Sequence, residues 1–313
     1  MTTRTLIAER PGPVLVVIDL PAGAITVTAE PERRTAEMTI TARGDDPAVA
    51  DAVRRAVLRW NTNYGRGGGA LLAAVPEVRG GGVQTTVRNH GGTVITQITG
   101  SIPAGASVTG AVIGADGAIT IGGGKVVIDG VTVVGGDIEI TARVPEGSHL
   151  AVRTRSADLA AHGEYASVDF VSVSGGLALG GTVRLTAETT SGDVRAAAVD
   201  GPAEVRSVSG DIRIDRADDV QARTTSGAIA LPDTGGLIAT ATVSGDITVH
   251  ATEGGTVGAR SVSGDVTVTA APAALAEGLT VRADSRSGTV TTPDDTPTAA
   301  ARPRRPRRGT GGA

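Results

Sequence analysis

The sequence predicts an all-β protein: a β-solenoid or β-helix-like stack of 17–19-residue coils, with a small N-terminal β-rich region carrying one helix. Three observations predict it. A Ser-Gly pair recurs with its Ser at 174, 191, 209, 226, 244, 263 and 287, at intervals of 17, 18, 17, 18, 19 and 24 residues, and Ser156-Ala157 extends the series upstream by 18. Residues after each pair alternate between aliphatic and polar or small. The 313 residues include 45 glycines but only one Trp, two Tyr and one Phe, although 40% of the chain is hydrophobic. That apolar mass is Ala, Val, Ile and Leu, enough to fold and suited to narrow, repetitive β-structure rather than a deep pocket.

Residues 3–43 read as three or four strands, with Leu15–Val17, Ile25–Thr28 and Met38–Ala42 alternating clearly. Asp46-Pro47 then opens a helix over 46–60, Asp as N-cap and Pro in the first turn. Val49, Val53, Val57 and Trp60 share its apolar face, and Trp60 is expected to cover the open end of the strand stack. The glycines at 65–69 and 80–82 read as connectors. The expected organisation is therefore an N-terminal region over 1–82, a repeat domain over 83–292 and an Arg/Pro tail over 293–313 that has nothing to bury.

Within the repeat domain, the residue three places after each repeat Ser is Leu159, Leu177, Val194, Ile212, Ile229, Ile247, Val266 or Val290, always aliphatic. The residue five places on is apolar in seven of eight copies. A second alternating stretch precedes each Ser-Gly, as in Ala203–Val208, so each coil is expected to hold two short strands and two turns. Gly is expected to give the turn its backbone freedom, with adjacent Ser and Asp bonding the local backbone. Stacked coils would bury one thin aliphatic column with no room for Phe or Trp. Weaker copies run through Asp116–Ile121 and Gly135–Ile140, and a Pro-x-Gly turn at Pro21, Pro103 and Pro145 leads into new strands.

Chemistry is sparse. The absence of cysteine removes disulfides, thiolate metal sites and thiol catalysis. Gly122-Gly123-Gly124-Lys125 lacks the spacing of a phosphate loop, since Val126 follows the lysine, and no Gly-x-Ser-x-Gly elbow occurs. His90, His149, His162 and His250 stand too far apart in sequence for paired metal ligation. Asp158, Asp193, Asp211, Asp246 and Asp265 fall two residues after the repeat Ser, but Gly176, Ala228 and Thr289 interrupt the row. One carboxylate per coil is a thin ligand set for Ca²⁺, and turn-stabilising aspartates are expected. No catalytic, cofactor or metal residue is assigned.

Net charge is −4 overall; residues 293–313 hold five Arg and two Asp, net +3, which leaves −4 − 3 = −7 for residues 1–292. Arg302, Arg304, Arg305, Arg307 and Arg308 are the candidate contacts to an anionic partner. The N-terminus lacks the apolar run of a signal peptide, and no segment is long enough to span a membrane, so a cytoplasmic protein is expected, surface association staying open.

The repeats Arg206-Ser207-Val208-Ser209-Gly210-Asp211-Ile212-Arg213-Ile214 and Arg260–Val268, with the entry Val144-Pro145-Glu146-Gly147 before Leu150–Thr154, resemble a bacterial adhesin-type β-repeat family, a domain of unknown function with SVSGD-type repeats. The resemblance covers about residues 135–292 and implies a β-solenoid-like fold without known catalysis. The leading function is a non-enzymatic structural or interaction module whose partner is a protein or an anionic polymer. The alternatives are a carbohydrate-active β-helix enzyme and a cytoplasmic scaffold that self-assembles through open solenoid ends.

Overall fold

The structure, a computed structural model, describes residues 2–44, 46–62, 69–77 and 138–293 in full, and between 84 and 125 only the backbone of five short strands. The chain divides into two compact units, Met1–Ala160 and Ala161–Ala313.

The first unit contains β1 (Thr2–Ile7), β2 (Leu15–Leu20), β3 (Ala24–Glu30), β4 (Glu37–Ala42), α1 (Pro47–Arg55), β5 (Val57–Asn61) and β6 (Ala70–Ala74). A hairpin follows, β7 (Gln84–His90) with β8 (Thr93–Thr99), then a three-stranded antiparallel ribbon of β9 (Ala111–Ile113), β10 (Ile119–Ile121) and β11 (Gly124–Lys125). The last strands lying wholly in the unit are β12 (Ile138–Pro145) and β13 (His149–Thr154). β12 pairs in parallel with β3, and β2 pairs in parallel with both β13 and β6. Antiparallel strands close these parallel pairs: β4 lies on β12, β1 on β4, and β5 on β6. Pairing thus joins the N-terminal strands to the segment 138–154, on the far side of the division expected at 82/83. Alternation places Val16, Ile18, Ile25, Val27, Met38, Ile40, Ile140 and Leu150 in one buried aliphatic core. The Pro21–Gly23 turn joins β2 to β3, and Gly23 is required there twice over: φ is +137°, and a Cβ would lie 3.1 Å from the carbonyl carbon of Ile138.

The helix is shorter than expected. Asp46 caps it as predicted, its carboxylate accepting from Ala48 N–H at 2.8 Å, and Val49, Ala52 and Val53 are buried. It ends at Arg55, and Val57–Asn61 is the strand β5, so Val57 and Trp60 do not share a helical face with Val49. Two causes are visible. The Arg4 guanidinium donates to the carbonyls of Val53, Arg54 and Ala56, satisfying the helix end that would otherwise propagate. The run Val57-Leu58-Arg59-Trp60 then gains a ladder against β6, with Trp60 opposite Leu71. The Trp60 ring covers Gly69, where a Cβ would collide with it.

β14 (Asp158–Tyr165) crosses the division between the units. The second unit continues through β15 (Ser167–Ser172), β16 (Leu177–Thr182), β17 (Leu185–Thr189), β18 (Val194–Ser207), β19 (Ile212–Arg223), β20 (Ile229–Ala241), β21 (Ile247–Ser261), β22 (Val266–Ala270), α2 (Pro272–Ala276), β23 (Leu279–Ser285) and β24 (Val290–Thr291). From β15 onward the strands pair in parallel, one coil on the next. Equivalent residues fall in register: Val194, Ile212, Ile229, Ile247, Val266 and Val290 form one column. The fold is the predicted β-solenoid-like stack.

Two expectations need correction. The second turn of each coil is in β18, β19 and β20 a shift of register within one continuous strand, at Val199/Pro202, at Ala217/Asp219 and between Leu231 and Gly236. A bulge bends the strand while keeping most of its ladder. The column also has room for aromatics: Tyr165 and Phe170 are fully buried. Phe170 fits because its neighbour in the next coil is only Ala187, and the Tyr165 hydroxyl donates to the His162 carbonyl at 3.1 Å. The one long interval, 24 residues, accommodates α2 between β22 and β23.

Candidate functional site

The corner of each coil, where the Ser-Gly pair sits, concentrates the polar residues of the repeat. Two residues before each repeat Ser stands another hydroxyl, which sequence reasoning passed over: Ser172, Thr189, Ser207, Thr224, Thr242, Ser261 and Ser285 in the second unit. These side chains point inward, and all but Ser285 are buried. Each accepts the N–H of the glycine three residues on, at 2.7, 2.9, 2.8, 3.1, 3.1, 2.8 and 2.9 Å in chain order. Thr154 makes the same bond to Ala157 N–H at 2.7 Å in the first unit. Several pass their own proton to the coil below, Ser261 to the Gly245 carbonyl at 3.2 Å and Ser285 to the Gly264 carbonyl at 2.8 Å. The signal that finds them is the unbroken Ser/Thr at that offset: an inward polar position in an aliphatic column is kept only when it is hydrogen-bonded.

The repeat glycines are there for space. None of Gly192, Gly210, Gly227, Gly245, Gly264 or Gly288 has positive φ, contrary to the expectation of turn flexibility. A Cβ on Gly192, Gly210 or Gly227 would lie 2.6 Å from the carbonyl carbon of the glycine one coil below. Backbone rides directly on backbone at this corner, and only glycine permits the approach.

The aspartate row serves the stack as well, although between coils rather than within its own turn. Asp193 Oδ1 accepts Asp211 N–H at 3.1 Å, Asp211 accepts Ala228 N–H at 2.9 Å, Asp246 accepts Asp265 N–H at 2.8 Å, and Asp265 accepts Thr289 N–H at 2.7 Å. Each carboxylate therefore clamps the backbone of the next coil, and the gap at Ala228 costs only its own clamp. No group of three or more His, Cys, Asp or Glu arranged to hold a metal occurs among the described residues. His250 Nδ1 meets Thr269 Oγ1 at 2.7 Å on the surface, while His149 and His162 are exposed apart from it.

Outside these locked columns lie the rows a partner would meet. Val173, Val208, Val243 and Val262, next to the repeat serines, are 42–50% exposed, with Thr190 and Thr225 between them. Beside this ridge runs a row of mixed charge, where Arg206 pairs with Glu188 at 3.2 Å and also with Glu204. A shallow open groove of about 370 Å³ crosses three coils here, between Val171, Glu188, Thr190, Arg206 and Val208. Nothing in it converges on a point, as a catalytic pocket would require. The arginines of the basic run, Arg302, Arg304, Arg305, Arg307 and Arg308, lie outside the described residues, as do Gly122 and Gly123. Among the described residues no helix is long and apolar enough to cross a membrane.

The family model Toastrack DUF4097 matches residues 116–310. No curated protein and no solved structure matches the chain.

Proposed function

The chain belongs to the Toastrack (DUF4097) family, a domain of unknown function with a β-repeat fold, and from that premise we propose that it works as a non-enzymatic interaction scaffold for an anionic polymer. One observation carries the reading: the recurring hydroxyls, glycines and aspartates, which are the residues a reaction would draw on, are committed to closing each corner and seating one coil on the next. The adhesin character implied by the sequence resemblance has no further support and is set aside. Residues 1–292 carry a net charge of −7, and the five arginines of 302–308 supply the concentrated positive charge. Concentrated positive charge recruits polyanions by releasing their counterions.

The test is binding of long-chain polyphosphate to the full chain and to a variant lacking residues 293–313, followed by fluorescence anisotropy at several salt concentrations. Affinity should fall steeply with salt and collapse on deletion, with the circular-dichroism spectrum of the stack unchanged. Binding that survives deletion and ignores salt would move the contact onto the stack. Hydrolysis of a polysaccharide by the purified chain would overturn the non-enzymatic reading.

A further inference from the structure

We propose that the open edge of β23 pairs with the β23 of a second copy of this chain, antiparallel about a two-fold axis through Ala283. The first unit shows how this chain closes parallel strands: β12 and β6 are met by the antiparallel strands β4 and β5. β23 pairs with β21 on one side, over all seven residues Leu279–Ser285, and has no strand on its other side among the described residues. An edge of that length is a template for strand addition.

The direction of its backbone groups follows from the coils beneath. Thr224 N–H and Thr242 N–H both point onward, donating to Ala241 O at 3.0 Å and Arg260 O at 2.9 Å in the next coil. Ser285 is the equivalent residue of β23, so its N–H, and by alternation those of Ala283 and Val281, face the open edge. With the axis at Ala283, that residue meets its own copy as a hydrogen-bonded pair, and Val281 meets Ser285 on either side.

The side chains agree with this register. Arg282 and Asp284 flank Ala283 and share the outer face with Thr280. Neither makes an ion pair with another described residue, although twelve such pairs form elsewhere. Antiparallel pairing about Ala283 sets Arg282 of each copy opposite Asp284 of the other, two identical ion pairs from one self-complementary strand. A two-fold interface demands that relation, residue i on j and j on i. A shift of the axis by one residue, to Arg282, would instead set the two arginines against each other.

The readout is sedimentation of the full chain across a concentration series, which is independent of whether polyphosphate binds. The wild type should show a monomer–dimer equilibrium. Arg282→Asp places like charges opposite each other twice and should weaken the dimer on the order of tenfold or more. The double variant Arg282→Asp with Asp284→Arg swaps the pairs and should recover the wild-type affinity to within a few-fold. Because the chain has no cysteine, Ala283→Cys puts the sole thiol of each copy on the axis, where mild oxidation should cross-link the dimer. A wild type that stays monomeric, or a dimer indifferent to Arg282→Asp, or a swap that fails to rescue, overturns the proposal.

Discussion

Gly210→Ala isolates the physical reason for the repeat glycines. The new Cβ would lie 2.6 Å from the carbonyl carbon of Gly192 and 3.0 Å from Ser207 Oγ, both tighter than ordinary van der Waals contact. Relief requires the two coils to part by about 1 Å at a corner where packing leaves no slack. Three hydrogen bonds between these coils stand in the way of that movement: Ser209 N–H to Thr190 O at 2.8 Å, Val194 N–H to Asp211 O at 2.9 Å, and Asp211 N–H to Asp193 Oδ1 at 3.1 Å. At about 1 kcal/mol each, their loss destabilises the protein by about 3 kcal/mol, a large share of the 5–15 kcal/mol typical of a whole domain. The comparison is Gly147→Ala. Gly147 has φ +73° with nothing within 4 Å of a Cβ, so it costs only the left-handed strain of about 1–2 kcal/mol. Urea midpoints of the two variants against wild type, with the slopes checked for constancy, measure both. A Gly210→Ala variant as stable as Gly147→Ala, or more so, would refute close approach as the reason.

Ser261→Ala removes the acceptor for Gly264 N–H at 2.8 Å and the donor to Gly245 O at 3.2 Å, both in the interior. It should cost about 2 kcal/mol in a denaturation titration, while Ser261→Thr, the residue found at Thr224 and Thr242, should stay near wild type. Asp211→Ala deletes the clamp on Ala228 N–H at 2.9 Å, an exposed bond worth under about 1 kcal/mol, and Asp211→Asn, whose amide oxygen still accepts, should retain most of it. Ca²⁺ should leave the thermal midpoint of all three proteins unchanged; a calcium-dependent rise lost in Asp211→Asn would mean that the row ligates metal.

The stack was legible because its period is written in every coil: the aliphatic column from Val194 to Val290 and the Ser-Gly corner recur with little interruption. The first unit was less legible because its strands pair out of sequence order. Nothing in Ala24–Glu30 says that β12, more than a hundred residues on, will lie against it. The helix boundary failed for a related reason. Val57 and Trp60 continue a helical spacing from Val49 and Val53, and only the tertiary ladder with Leu71 and the Arg4 cap decide for a strand. The aspartate row was visible as a pattern, but its target was not, since alternation along one strand carries no information about which backbone N–H of the next coil lies within reach.

The columns differ in how freely they vary, and the difference separates structure from recognition. Positions under geometric constraint repeat: Gly at the corner from Gly175 to Gly288, Ser or Thr two residues before each repeat Ser, aliphatic three after it. The outward row aligned with Arg206 instead reads Val171, Glu188, Arg206, Arg223, Ala241, Arg260 and Asp284. Neighbours in that row stand about 4.8 Å apart, so a polymer of identical units lying along it would meet a different side chain at each step. A regular polyanion gains little from such a row, whose three arginines are broken by Ala241 and flanked by Glu188 and Asp284. It gains more from the five arginines within 302–308, which present one sign of charge throughout. The irregular outward rows suit contacts made once, at one place on the stack, and the paired Arg282 and Asp284 about Ala283 are the place where two such rows match each other.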